Sequence, residues 1–191
     1  YLDAIERRRG INVGAFVGHS GVRRYVMGEA AQEREATPEE IEAMKHQVRE
    51  GMLAGALGFS VANFVGQGEG LFGVKVPSSV ATDDERYALG SVLGELGTGV
   101  FQVSGGAPGG FRGPALIAQE LSRRTGRPAI YNLLAQELNK PDEWKEHLHL
   151  LETAFKAGIR AYGSCLSATA GPIFDLRAGL DGLEDEDMIS P

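Results

Sequence analysis

The sequence predicts an α/β fold made of repeated βα units. Three observations lead there. Short apolar runs suited to buried strands recur at roughly 30 to 45 residues, the length of one such unit. Amphipathic segments with helix start and stop residues lie between them. The strand runs are nearly continuous in apolar residues, as expected of parallel strands covered by helices.

The elements follow in order. Residues 1–10, YLDAIERRRG, read as a helix that Gly10 ends. INVGAFVG, residues 11–18, reads as the first strand, followed by a glycine-containing turn at GHSG. Thr37 is placed as an N-cap, Pro38 at the first helical position and Glu40 three residues past the cap, a capping box. Ile41, Met44, Val48 and Met52 give that helix its apolar stripe. The run ALGFS from Ala56 is the second strand. Thr82 caps the next helix, with Glu85 expected to complete a second box and Leu89, Val92, Leu93 and Leu96 as its stripe. GVFQVS from Gly99 is the third strand, a helix spans about Pro114 to Arg124, and AIYNLL from Ala129 is the fourth strand. Pro141 starts a helix carrying Trp144, Leu148, Leu151 and Phe155, which ends near Gly158. IRAYGS is the fifth strand.

Two architectures accommodate this pattern: a doubly wound open sheet, and an (β/α)8 TIM-like barrel that is partial, with about five units present. The open sheet usually carries a phosphate-binding glycine turn after its first strand. GHSGVRR does not fit G-x-G-x-x-G, and no G-x-x-x-x-G-K-[ST] occurs. QGEGLFG is glycine-rich but lies in a long loop and opens no helix. Both architectures place a ligand at the carboxyl ends of the strands. Those ends fall at 18–20, 60–63, 102–106, 132–134 and 164–165, and all five carry small or polar residues.

Composition narrows the function classes. The 191 residues are 42% hydrophobic and 24% charged, enough for a sizeable core. A net charge of −7 argues against a nucleic-acid partner, because an acidic surface repels phosphate backbones. No apolar run reaches the roughly 20 residues that span a bilayer, so no membrane role is expected. The single Cys165 excludes an internal disulfide and suits a reducing, cytoplasmic setting. Tyr1 is not methionine and residues 1–10 read as the tail of a helix, so residues 1–191 are expected to be one piece of a longer catalytic domain.

Three segments carry a resemblance: VGHSGVRRYVMG, then ATPEEIEAMKHQVREGMLAGALGFS, then VPSSVATDDERYALGSVLGELGTGV. In order and spacing they resemble the middle of the amidohydrolase superfamily, specifically enzymes of the D-aminoacylase and N-acyl-D-amino-acid deacylase type, over residues 1–158. The resemblance implies a distorted βα barrel that hydrolyses an amide bond with metal-activated water. It implies zinc, held by an N-terminal His-x-His pair and a late Asp that lie outside this sequence. Two further histidines of the family have no counterpart: Ser104 or a near neighbour stands at one position, and Leu133 or Asn132 at the other. Serine, asparagine and leucine are poor zinc ligands beside imidazole, so this sequence is expected to supply no metal ligand.

The remaining chemistry-bearing residues divide as follows. His19 follows a strand and precedes a glycine-containing turn, and is expected to point into the barrel mouth. His46 reads as a solvated helix residue; His147 and His149 are two apart on a helix and cannot chelate together. Cys165 reads as a small buried thiol. Asp83, Asp84 and Glu85 read as acidic residues of a first helical turn, and Arg23 and Arg24 as surface ion-pair partners or contacts for a substrate carboxylate. The expected pocket is lined by His19, Ser60, Asn63, Gln102, Ser104 and Asn132 and takes a small-molecule amide, an N-acyl-D-amino acid or its like. The second reading is a catalytically degenerate barrel that binds a small molecule or a partner. Open sheet edges are expected to favour a homo-oligomer.

Overall fold

The computed structural model describes residues 12–62, 69–70, 74–105, 112–132, 134 and 142–165. Within them, five strands form one parallel sheet: β1 (Phe16–Gly18), β2 (Gly58–Ala62), β5 (Val100–Ser104), β6 (Ala129–Asn132) and β7 (Ala161–Ser164), in the order β1-β2-β5-β6-β7. A short antiparallel pair, β3 (Glu69–Gly70) and β4 (Val74–Lys75), stands apart. Helices α1 (His19–Met27), α2 (Pro38–Leu53), α3 (Asp83–Leu96), α4 (Arg112–Thr125) and α5 (Glu143–Lys156) alternate with the strands of the larger sheet. The fold is the expected run of βα units, matching part of a TIM-like barrel. Among the described residues the sheet does not close, and β1 and β7 are its edges.

Alternation along the strands sorts the side chains into two faces. Phe59, Val61, Phe101, Val103, Ala129 and Tyr131 are fully or almost fully buried and point toward the helices. They meet Met44 and Val48 of α2, Leu89, Val92 and Leu93 of α3, and Ala118 and Leu121 of α4 in one apolar core. Ser60, Ala62, Val100, Gln102, Ser104, Ile130, Asn132 and Ser164 are half-buried and point the other way. The two faces therefore differ in both cover and chemistry.

Local signals explain α2 and α3. Thr37 accepts from the Glu40 N–H at 3.3 Å, and Glu40 accepts from the Thr37 N–H at 2.8 Å, a complete capping box with Pro38 just inside it. Thr82 likewise accepts from the Glu85 N–H at 3.1 Å. Glu85 does not complete the box, because its carboxylate turns inward to His19 and Arg23. Gly97, in the left-handed region at φ 65°, ends α3.

Two expectations change. The GHSG segment is not a turn: β1 passes directly into α1 at His19. Its N-cap is Gly18, which offers no side-chain cap, so the usual start signal is absent. In α5 the buried residues are His147 and Ala154, while Leu148 is partly exposed and Phe155 is 68% exposed. Only Leu151 of the expected stripe packs on the core, because α5 is the outermost helix beside an edge strand. The expected helix at residues 1–10 and its Gly10 stop, together with Pro141, lie outside the described residues.

Two glycines, one in a strand and one in a helix, should behave in opposite ways. A Cβ on Gly58 would overlap the Val100 carbonyl in the neighbouring strand, whereas one on Gly21, exposed within α1, meets nothing within 4 Å. Gly58→Ala is expected to lower stability by about 1–3 kcal/mol or more through overpacking against backbone. Gly21→Ala should raise it by about 0.5–1 kcal/mol. Urea denaturation of the two variants beside the parent checks both signs.

Candidate functional site

Register builds the candidate site. Ser60 of β2 is paired with Gln102 of β5, and Ala62, Ser104, Asn132 and Ser164 are paired successively across β2, β5, β6 and β7. Registered residues on parallel strands share a face, so the half-buried face carries two polar rungs roughly 7 Å apart along the strands. The upper rung lies at the carboxyl ends, where α/β folds bind their ligands. Its side chains are joined: Asn132 Nδ2 donates to Ser104 Oγ at 3.2 Å, and Ser164 Oγ donates to Asn132 Oδ1 at 2.6 Å. Ser60 and Gln102 form the rung below.

The structure thus brings Ser60, Gln102, Ser104 and Asn132 to one face, and adds Ser164, which strand-end position alone had marked only as a place to look. Asn63 lies outside the described residues. His19 is not on this face. Its ring is buried and tilted against Phe59 at 5.6 Å, on the helical side of the sheet. The expectation that it points into the mouth fails because His19 is the first residue of a helix, and its first turn faces α3.

There His19 belongs to a buried polar cluster. Its Nε2 lies 2.7 Å from Glu85 Oε1, and Arg23 donates to the second carboxylate oxygen, Oε2. Arg23 also donates to the Ala31 carbonyl at 3.2 and 3.3 Å and to the Arg34 carbonyl at 2.8 Å. Arg23 is therefore a buried clamp rather than a surface residue; Arg24, exposed, pairs with Glu29 at 2.5 Å. Next to the cluster, Ser20 Oγ donates to Ser78 Oγ at 2.8 Å, and Arg86 donates to the Ser78 carbonyl at 3.0 Å.

Burial lowers the His19 pKa, and the nearby charges of Arg86 and Arg23 act the same way; together they outweigh the hydrogen bond and charge of Glu85. The ring is then neutral, with Nε2 donating and Nδ1 buried without a partner among the described residues. Burial acts to raise the Glu85 pKa, but the hydrogen bonds from His19 and Arg23 hold it below the usual carboxylate value. The other titratable candidates lie elsewhere. His46 and His149 are exposed and His147 is buried on α5. Cys165 is exposed rather than a buried thiol, because it lies one residue past the end of β7.

The strand-end residues do not fit a metal ion. The upper rung offers neutral hydroxyl and carboxamide groups, and the Asn132 carboxamide is already engaged on both sides. Among the described residues, no group of three or more His, Cys, Asp or Glu could hold one. No helix of the described residues is long and apolar enough to cross a membrane.

The buried cluster makes stability depend on pH. The ordinary pKa values are 6.5 for His19 and 4.5 for Glu85, and the fold lowers both. The unfolded chain then binds protons that the folded chain does not, so stability must fall as the pH is lowered. The loss starts below about 6.5 through His19 and continues below about 4.5 through Glu85, toward their lower folded values. Urea midpoints should therefore decline from about pH 7 to about pH 5, and decline less in His19→Gln. Glu85→Gln should cost about 3–5 kcal/mol at neutral pH, since it leaves the Arg23 guanidinium buried without its carboxylate.

With this geometry in hand, the chain can be set beside known proteins. No sequence profile of a known family matches it, and no curated protein matches it by sequence. Solved structures do. A D-aminoacylase variant in complex with copper chloride superposes with a TM-score of 0.70 at 25% identity, over 90% of this chain and 34% of that one. A D-aminoacylase structure described for its binuclear metal centre gives 0.67 at 25% identity, over 86% and 32%. N-acyl-D-glutamate deacylase from Bordetella bronchiseptica, complexed with zinc and a phosphonate mimic of the tetrahedral intermediate, gives 0.63 at 24% identity, over 84% and 31%. The chain spans about a third of the length of each of these proteins. The resemblance read from the three sequence segments is thus matched in three dimensions: over most of its length, this chain is similar to D-aminoacylase-type amidohydrolases.

Proposed function

We propose that residues 1–191 are part of the barrel of an amide-bond hydrolase whose substrate is an N-acyl-D-amino acid or a related small amide. The similarity to D-aminoacylase structures over 86–90% of the chain supports the reaction class. The observation that carries the site is the pair of polar rungs on the half-buried face of the sheet, ending at its carboxyl edge. Ser60, Gln102, Ser104 and Asn132, with Asn63, are the proposed substrate-facing residues. Gln102 and Ser60 offer one carboxamide and one hydroxyl without a partner among the described residues, suited to the N–H and C=O of an amide. The buried His19 acts here as a positioning residue, fixing α1 at the end of β1. The zinc implied by the resemblance is proposed to be held by residues outside those described. The proposal places the protein in the cytoplasm, as an enzyme of small molecules.

One observation favours a second reading, a barrel that binds without catalysis: hydroxyl and carboxamide groups stand at the strand ends instead of metal-binding side chains. Turnover separates the two. In the full-length protein, incubation with N-acetyl-D-amino acids should release free amino acid. Gln102→Ala should lower kcat/KM about tenfold, equivalent to about 1.4 kcal/mol of lost transition-state binding. Saturable binding with no amine released from any D- or L-configured N-acyl amino acid would replace the hydrolase with the binding module.

A further inference from the structure

The upper rung is directional. The two bonds of Asn132 differ in length as their chemistry requires: 2.6 Å suits O–H···O and 3.2 Å suits N–H···O. That orients the carboxamide, with its oxygen toward Ser164 and its nitrogen toward Ser104. Ser164 spends its only proton on Asn132, and Asn132 spends one of its two N–H groups on Ser104. Ser104 accepts, so its own hydroxyl proton remains to donate, and among the described residues nothing takes it. Each bond polarises the next, so the donating strength of the last hydroxyl rises along the chain.

We propose that Ser164–Asn132–Ser104 is a hydrogen-bond relay whose terminal donors, the Ser104 hydroxyl and the second N–H of Asn132, bind an oxygen acceptor of the ligand. The acceptor is a carbonyl or carboxylate oxygen. Ser164 touches no ligand; it acts through Asn132 and is a positioning residue. The relay sits on the half-buried face at the carboxyl edge of three adjacent strands, which fixes Ser104 and Ser164 roughly 10 Å apart across the sheet. Rigid strands hold such donors with less freedom than a loop would. The assignment rests on the proposed function only in expecting that the acceptor belongs to an amide substrate.

The test is a titration of the full-length protein with N-acetylglycine, with acetate and acetamide as separate arms. The readouts are the dissociation constant and the NMR signals of the Asn132 carboxamide, assigned through Asn132→Asp. N-acetylglycine should shift those signals saturably. The acetate and acetamide arms tell a carboxylate acceptor from a carbonyl. Ser104→Ala should weaken binding about tenfold, with Ser104→Cys as a second variant of similar size and weaker donating power. Ser164→Ala should weaken binding about threefold and move the carboxamide signals of the free protein, and Ser164→Thr should restore both. The relay is overturned if Ser164→Ala changes neither quantity, and the donor assignment if binding survives both Ser104 variants unchanged. The absence of any probe-dependent shift at Asn132 overturns the whole. Hydrolysis combined with a silent Ser164→Ala leaves the proposed function and removes the relay. The relay result without hydrolysis of any amide does the reverse.

Discussion

The structure turns on one buried carboxylate. Glu85 leaves the position of a helix-capping side chain and receives His19 and Arg23 instead. Through Arg23 it also reaches the carbonyls of Ala31 and Arg34, in the segment that follows α1. One charge thereby ties together the first βα unit, the chain that leaves it, and the helix that precedes the third strand of the sheet. A buried ion pair of this kind adds little net stability over an apolar replacement, because both groups lose their water. Arg23, buried, meets Glu85 and the carbonyls of Ala31 and Arg34, partners that this placement of α1 brings together. Gly28, at φ 62°, allows the turn that brings those carbonyls within reach.

That cluster and the candidate site lie on opposite sides of the same sheet. The helical side holds the apolar core and the charged cluster of His19, Arg23 and Glu85 buried in it. The other side holds neutral polar groups, half-buried and in register. The separation has a chemical consequence. Among the described residues, the buried charges of Arg23 and Glu85 pair on the helical side, and the polar groups on the other face carry hydrogen-bonding capacity without charge. Neutral polar groups of this kind recognise by donor and acceptor pattern, since an unmatched buried polar group is costly while a matched one is nearly neutral.

The comparison with D-aminoacylases gains interest from this chemistry. The fold is shared over most of the chain, at an identity of 24–25% for the three structures compared. Yet the strand ends present Ser104, Asn132 and Ser164, whose oxygen and nitrogen atoms already engage one another. A barrel scaffold tolerates such exchange because its packing residues and its ligand residues alternate along each strand and point in opposite directions. Phe101 and Val103 keep the core, whatever stands at 102 and 104.

Much of the fold could be read in the amino-acid order. Five apolar runs, two Thr caps and the stripes of α2 and α3 are local signals, and local signals suffice for elements that bury apolar faces. The strand ends were legible too, since fold class alone says where a ligand site lies. The first helix was not. Its buried face is His19, Val22, Arg23 and Met27, half of it polar, and it looks like a solvated turn until Glu85 is supplied from 66 residues away. The outer helix α5 misled in the opposite sense, because its periodicity could not say that the edge of the sheet leaves Leu148 and Phe155 uncovered. The joining of Ser104, Asn132 and Ser164 depends on register, which is a relation between strands. The sequence by itself determined the βα order and the polar strand ends, because each depends on neighbours in the chain. Tertiary structure alone decided that His19 serves the core and that three separated residues make one hydrogen-bonded row, because both depend on partners that only folding brings together.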